Sequence, residues 1–207
     1  MKPIVKEGLL WALGTALVSG VSIYVNKFGV AQVKDPFVYA TLKNSLVAFG
    51  LLAMLGVAGW RELRAFTPRQ WLGWVALGLI GGGIPFLLFF QGLATAGAPS
   101  AALIHKTLFV WVALLALPLL GESLGGWQVA GLSVLAVGQF LLQSPKAWGW
   151  GSGETLILIA TLMWAVETIV AKKVLAGVSA RVAAFGRMGV GVIVMWGFLA
   201  FSGRASA

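Results

Sequence analysis

The sequence is poor in charged residues and contains no cysteine. Of its 207 residues 10% are charged and 59% are hydrophobic, and the mean hydropathy is +0.94. A soluble domain carries about 25% charged residues, so this chain has too little charge to cover a water-exposed surface. The absence of cysteine excludes disulfides, thiolate metal sites and cysteine nucleophiles. We therefore expect a protein whose solvent is the lipid bilayer.

Histidine is also scarce, because the chain has a single one, and this argues against a histidine-rich metal site. The net charge of +9 is compatible with nucleic-acid binding, but the basic residues lie mostly between apolar runs. That distribution is typical of the excess of Lys and Arg in cytoplasmic loops of membrane proteins. We expect no metal, no cofactor and no nucleic acid among the partners.

Hydrophobic segments long enough to cross a bilayer recur about seven times, since a spanning helix needs roughly 20 apolar residues. The predicted spans cover residues 8–29, 37–59, 70–92, 99–120, 125–143, 154–175 and 182–201. Most connections are short, so neighbouring helices are expected to run antiparallel. Thr67 and Pro68 are suited to the N-cap and first turn of the third span. The sequence predicts an all-α, polytopic transmembrane helix bundle.

The first apolar run is expected to remain as a span, since no small-residue cleavage pattern follows it. With the N-terminus cytoplasmic, eight loop Lys and Arg residues fall on the cytoplasmic side and four on the other. The excess favours this orientation. The cytoplasmic set is Lys2, Lys6, Arg61, Arg64, Arg69, Lys172, Lys173 and Arg181, and the opposite set is Lys27, Lys34, Lys146 and Arg204.

The sixth and seventh spans resemble the first and second. Aligning them places Lys27 against Lys172 and, one residue of shift later, Lys43 against Arg187. The offset is five spans, and five is odd, so the second copy starts from the opposite side of the membrane and has inverted topology. This pattern predicts a five-helix repeat in residues 1–145 and the first two helices of an inverted repeat in residues 146–207. Three further helices are then expected from a longer chain, or from a second copy in a homodimer.

These residues resemble the EamA family of the drug/metabolite transporter superfamily. The resemblance is carried by Ala98-Pro99-Ser100-Ala101-Ala102-Leu103-Ile104 running into Gly121-Glu122, by Lys43 where the family usually has Arg, and by Trp164. It implies two inverted five-helix repeats, ten spans and cytoplasmic termini, and this chain then looks C-terminally truncated. It also implies a multi-pass protein of a bacterial-type inner membrane that exports small metabolites.

Charged groups inside the hydrocarbon cost about 2.5–3.5 kcal/mol each on insertion scales and normally face a cavity or a partner. Lys43, His105 and Lys106 lie at one level in the outer halves of their spans. If they face one cavity, an anionic or carboxylate-bearing substrate is the natural ligand. The alternative is that the lysines snorkel to the headgroups and that His105 is a hydrogen-bonded packing residue.

Glu167 and Arg187 fall in the inner halves of the sixth and seventh spans, where a salt bridge between antiparallel helices is the simplest interpretation. The alternative is that Glu167 carries a coupling proton. Glu122 is interpreted as structural, solvated by water and the following turn at the end of the fourth span.

Gly81-Gly82-Gly83-Ile84-Pro85 interrupts the middle of the third span. Pro85 removes an amide donor, and glycines allow another backbone to approach closely. Gly82 and Pro85 therefore border either a substrate path beside a kinked helix or a close helix–helix contact, and the two interpretations are compatible. Trp164 completes the candidate substrate path.

The favoured function is a secondary transporter of small polar, amino-acid-like or anionic metabolites that works by alternating access. No P-loop is present, so we expect a proton or substrate gradient to supply the energy. A non-transporting assembly or channel-like subunit is the alternative. A membrane-embedded enzyme is disfavoured, because one histidine and a single mid-span glutamate on different helices supply no catalytic dyad; no catalytic residue is predicted.

Overall fold

The chain is helical throughout the part that the computed structural model describes, which is residues 3–142 and 150–204. These residues form nine α-helices and one π-helical segment, with no strand among them. The elements are α1 (Pro3–Gln32), α2 (Pro36–Arg64), α3 (Pro68–Leu77), the π segment (Gly78–Gly83), α4 (Ile84–Thr95), α5 (Ala98–Lys106), α6 (Leu108–Leu120), α7 (Gly126–Leu142), α8 (Ser152–Val174) and α9 (Ala180–Phe201). The predicted all-α class is confirmed.

Five stretches of the described chain are long and apolar enough to cross a membrane. They are Pro36–Arg64, Pro68–Thr95, Pro99–Leu120, Ser152–Val174 and Ala180–Phe201, and they coincide with five of the seven predicted spans. The other two predicted spans fall on α1 and on the 17-residue α7. Both are helical, and their role as spans stays a prediction. Residue 143, the predicted end of the fifth span, lies outside the described residues.

Two compact units divide the chain, residues 1–34 and 35–207. The first unit consists of α1, in which the hydroxyl of Thr15 donates to the carbonyl of Trp11 at 2.8 Å. The ring of Tyr24 packs edge-on against Phe28 one turn later, with centroids 4.9 Å apart. Every feature below belongs to the second unit.

Helices α2 and α9 pack antiparallel over their length. At one end Arg204, just past α9, donates to Asp35, the N-cap of α2, at 2.8 Å. At the other end Glu62 in α2 accepts from the backbone amide of Ser179, the N-cap of α9, at 2.6 Å. In between, the amide of Asn44 contacts a methionine sulfur of α9, and Gly56 adopts φ +59° and breaks the helical geometry of α2.

The start of α3 lies where α2 ends and α9 begins. Thr67 and Gln70 form a capping box, with the Thr67 hydroxyl accepting from the Gln70 amide and the Gln70 side chain accepting from the Thr67 amide. The predicted N-cap is thus confirmed. The indole of Trp74 then donates to the carbonyl of Val182 at 2.9 Å. A buried cluster that includes Leu55, Leu63, Trp74 and Val182 closes this end of the unit.

The fourth predicted span has a local irregularity between the end of α5 at Lys106 and the start of α6 at Leu108. Thr107 lies at this irregularity. Its hydroxyl donates to the carbonyl of Ile104 at 2.6 Å and accepts from the indole of Trp111 at 3.0 Å. A hydroxyl that competes for backbone groups in this way often bends a helix.

Glu122 has a protein partner that the sequence did not indicate. The residue follows α6, and its carboxylate forms an ion pair with Lys172 near the end of α8. Lys172 therefore stabilises the carboxylate of Glu122 in addition to water and the following turn. The pair joins the ends of α6 and α8 and supports the structural interpretation of Glu122.

Asp35 gives a pH-dependent test of the α2–α9 contact. Burial raises the pKa of Asp35, but hydrogen bonds from Arg204, Phe37 and Val38 and the charge of Arg204 outweigh it and hold the pKa below its ordinary value of 3.8. A depressed pKa contributes stability above the unfolded value and loses it as pH falls through the folded value.

Asp35→Asn keeps an N-cap acceptor and removes the charge. Because exposed ion pairs contribute up to about 1 kcal/mol, we expect the melting temperature in detergent at about pH 7 to fall by about 2–4 °C. The difference from the wild type should shrink below pH 3.8. A difference that is constant with pH would contradict this assignment.

Candidate functional site

The π segment approaches α9 so closely that only glycine fits at the contact. A Cβ atom added at Gly82 would collide with the backbone carbonyl of Arg187, and one added at Gly191 would collide with the backbone of Gly82. π-Helical segments often occur at functional sites. The candidate residue Gly82 therefore packs backbone against backbone, as the close-contact interpretation of this motif requires.

Trp164 of α8 holds the π segment from the other side. Its indole donates to the carbonyl of Gly81 at 2.9 Å, and both groups are buried. Pro85 is fully buried in the first turn of α4, where its missing amide needs no helical partner. The structure thus brings the candidates Gly82, Pro85 and Trp164 together around one irregular stretch of helix.

Five rings form a continuous aromatic cluster next to this stretch: Phe86, Phe89, Phe90, His105 and Trp164. Trp164 lies 5.3 Å from Phe86, 5.4 Å from Phe89 and 5.0 Å from His105, measured between ring centroids. Phe89 lies 5.1 Å from His105 and 5.6 Å from Phe90. Edge-to-face contacts at these distances are favourable. The cluster places the candidate His105 against the candidate Trp164.

Two cations approach this aromatic cluster from different helices. The ammonium of Lys43 on α2 lies 5.0 Å from the centre of the Phe90 ring, and the guanidinium of Arg187 on α9 lies 5.7 Å from that of Phe86. Both distances allow cation–π attraction. Lys106 is half-buried at the end of α5, next to His105. Lys43 and Arg187, which the sequence analysis predicted to be equivalent, thus contact rings one turn apart on the same helix.

Glu167 and Arg187 are brought together as the sequence analysis expected. The Nε atom of Arg187 lies 3.0 Å from Oε1 of Glu167, and the side chains are 31% and 12% exposed. Despite this short distance, the Nε–H group of Arg187 makes no hydrogen bond of standard geometry. The contact is therefore an ion pair without hydrogen-bond geometry. Glu167 also lies directly against Gly81, so the pair borders the π segment.

Two buried side-chain polar atoms in the described part of the chain have no hydrogen-bond partner, His105 Nδ1 and Arg187 Nε. Buried polar atoms are nearly always hydrogen-bonded, and both of these belong to residues in contact with the aromatic cluster. The predicted packing role of His105 therefore does not involve a hydrogen bond at Nδ1. His105 Nδ1 can bind a polar ligand group, whereas Arg187 Nε already lies 3.0 Å from the carboxylate of Glu167.

The phenylalanines of α4 are the part of this site that the sequence analysis missed. Phe86, Phe89 and Phe90 follow the i, i+3, i+4 spacing that places side chains on one face of a helix. In a chain with 12 phenylalanines this spacing is easily read as lipid-facing surface. The sequence feature that could have identified these rings as part of the site is their position directly after Pro85.

Comparison with known proteins places this architecture in a family. The sequence profile of the EamA-like transporter family matches residues 6–143. The chain belongs to the EamA-like transporter family. The match confirms the resemblance noted in the sequence and spans five of the candidate site residues: Lys43, Gly82, Pro85, His105 and Lys106. This EamA-family chain is thus a membrane transporter in its general class.

Two relatives support the same assignment. An uncharacterized transporter in the cobO 3′ region of a Sinorhizobium species is 31% identical over 134 residues, which are 64% of this chain and 93% of the relative. An uncharacterized transporter of a Synechocystis strain is 29% identical over an alignment of length 181 that covers 77% of this chain and 51% of the relative. The EamA-family chain thus spans about half the length of the second relative. No solved structure matches it significantly.

Substitution of the packing glycine tests the contact between the π segment and α9. Gly82→Ala forces a methyl group into the Arg187 carbonyl, and overpacking of this kind costs about 1–3 kcal/mol. We expect a clearly lower melting temperature in detergent. Gly50→Ala in α2 is the matched control, because a Cβ there meets nothing within 4 Å. It should be neutral or stabilising by up to about 1 kcal/mol, and equal effects of the two substitutions would refute the close contact.

Loss of the indole donor tests the hydrogen bond to the π segment. Trp164→Phe leaves the Gly81 carbonyl buried without that partner, which costs about 1–3 kcal/mol. Trp196→Phe is the control, because Trp196 donates to the hydroxyl of Ser45 from an exposed position. Thermal unfolding should show a larger loss for Trp164→Phe, and the opposite order would be evidence against the role of this bond.

Proposed function

We propose that the protein is a secondary transporter of small anionic or amino-acid-like metabolites, which pass the aromatic cluster by alternating access. The observation that supports this most is the pair of cations on that cluster, one from α2 and one from α9. Both lie within helices apolar enough to span a membrane. Such residues are expensive inside a bilayer and typically mark a substrate path.

The charge balance around the cluster favours an anionic ligand. Within the described residues Lys43 has no carboxylate in ion-pair contact, whereas Arg187 has Glu167. Within the described chain one positive charge therefore has no carboxylate at ion-pair distance. A carboxylate-bearing substrate supplies the missing charge, and the rings offer apolar contact to the rest of a small molecule.

Inverted repeats form the structural basis of this proposal. We propose residues 1–145 as one five-helix repeat and residues 146–207 as the start of a second. Helices α2 and α9, which the repeat makes equivalent, run antiparallel, as inverted copies must. Lys43 lies seven residues after Pro36, the start of α2, and Arg187 lies seven residues after Ala180, the start of α9.

Orientation and direction are part of the proposal. The end of the unit at which α9 begins carries Arg61, Arg64, Arg69, Lys173 and Arg181, all exposed, and we assign it to the cytoplasmic side. A potential that is negative inside drives an anion outward by about 2.3 kcal/mol per charge for each 100 mV. Export from a bacterial-type cell is thus the favoured direction.

Transport by proteoliposomes tests the function. We expect uptake or counterflow of organic anions or amino acids in preference to cationic drugs. Lys43→Ala should reduce anion transport about tenfold, which corresponds to about 1.4 kcal/mol of lost binding. Leu42→Ala is the control, because Leu42 is the exposed neighbour of Lys43 on α2. Equal transport by both variants, or transport of cations alone, would contradict the anion assignment.

A further inference from the structure

We infer that Lys43 and Arg187 are two separate anion-binding stations on one path, each reached by water from its own face of the membrane. The inference rests on the proposed transport function and goes beyond it by assigning one station to each face. It starts from the opposite directions of α2 and α9, in which the two cations lie.

Lys43 and Arg187 lie equally far from the first residues of their own helices, and these first residues are at opposite ends of the helix pair. Seven residues of helix correspond to about 10 Å, so Lys43 lies about that far from the end where α2 begins, and Arg187 from the end where α9 begins. The pairs Asp35–Arg204 and Glu62–Ser179 fix these ends on opposite sides of the unit. Each cation is thus closer to a different face.

Helix α4 connects the two positions with a single aromatic surface. Phe90 contacts Lys43 and Phe86 contacts Arg187. The two rings are stacked, with centroids 6.4 Å apart and planes 19° from parallel. The rings that the two cations contact are therefore about one helical turn apart along α4.

The two stations differ in charge, so they differ in how they bind an anion. Arg187 already has the carboxylate of Glu167 beside it, which an arriving anion has to replace or share. Lys43 has no carboxylate in ion-pair contact within the described chain. An anion is therefore held more tightly at Lys43 than at Arg187. Unequal stations at the two faces make the path asymmetric even though the helices are related by a repeat, whereas the driving gradient sets the direction of net transport.

The absence of cysteine makes the inference directly testable, since an introduced cysteine is the sole thiol. Lys43→Cys and Arg187→Cys are reconstituted into vesicles, and a membrane-impermeant, negatively charged methanethiosulfonate reagent is added to one side at a time. Ser202→Cys and Arg181→Cys, both at exposed positions at opposite ends of α9, report which face is which. Leu42→Cys, on the exposed side of α2, is the control for a lipid-facing thiol and should not react.

We expect Lys43→Cys to react at least about tenfold faster from the face labelled through Ser202→Cys. Arg187→Cys should show the same preference for the face labelled through Arg181→Cys. Should Arg187→Cys misfold because Glu167 loses its partner, the double variant Arg187→Cys/Glu167→Gln removes the unpaired charge and is tested in its place. Reaction of both positions from the same face, or of neither, would overturn the inference.

Labelling and transport separate the inference from the function on which it rests. Anion transport by the unmodified chain decides the proposed function, whereas the sidedness of labelling decides the two stations. If the chain transports anions but each cysteine is labelled equally from both faces, the protein is an anion transporter with one shared site. This result would overturn the two stations and leave the proposed function standing. Sided labelling in a chain that moves no anion would overturn the proposed function, because the two water-accessible stations would then lack a transported ligand.

Discussion

At the contact between the π segment and α9, Gly82 meets Gly191 without side chains in between. This contact sets the positions of the residues that surround it. Because the two backbones touch, the carbonyl of Gly81 points to Trp164 and the space beside Gly81 admits Glu167. Glu167 in turn lies next to Arg187, whose own carbonyl faces Gly82. A side chain at this contact would move the helix that carries the aromatic face of α4.

The aromatic cluster lowers the free-energy cost of holding cations in an apolar environment. An ammonium or guanidinium in hydrocarbon is expensive, and the face of an aromatic ring recovers part of that cost without removing the charge. A carboxylate partner neutralises the cation more completely, as it does for Arg187. Lys43 has the ring of Phe90 nearby and, among the described residues, no carboxylate in ion-pair contact, which is why we propose it as the residue that binds an anion. The site is thus stable yet electrostatically incomplete.

Much of this arrangement follows from sequence patterns with a local physical cause. The spans of α2, α8 and α9 and the cap at Thr67 depend on hydropathy or spacing within a few residues. The meeting of Glu167 with Arg187 joins two helices, but opposite charges in the same half of adjacent antiparallel spans indicated it. What escaped prediction depends on contacts between distant parts of the chain. The pairing of Glu122 with Lys172 and the inward orientation of the α4 rings are decided by packing. In a membrane protein an apolar side chain is equally compatible with the lipid-facing and the inward-facing side of a helix, so composition does not distinguish the two. The irregularity at Thr107 is local, but a hydroxyl in a helix is compatible with both a straight and an irregular course.

Different kinds of interaction join α2 and α9 at their two ends. At one end a carboxylate, that of Glu62, holds a backbone amide at the first turn of α9. At the other, Arg204 and Asp35 meet through side chains that are 44% and 19% exposed. Dissolved salt screens the exposed ion pair far more than a bond to the backbone. The contact between α2 and α9 is therefore sensitive to ionic strength at the end that carries Asp35 and much less so at the end that carries Glu62.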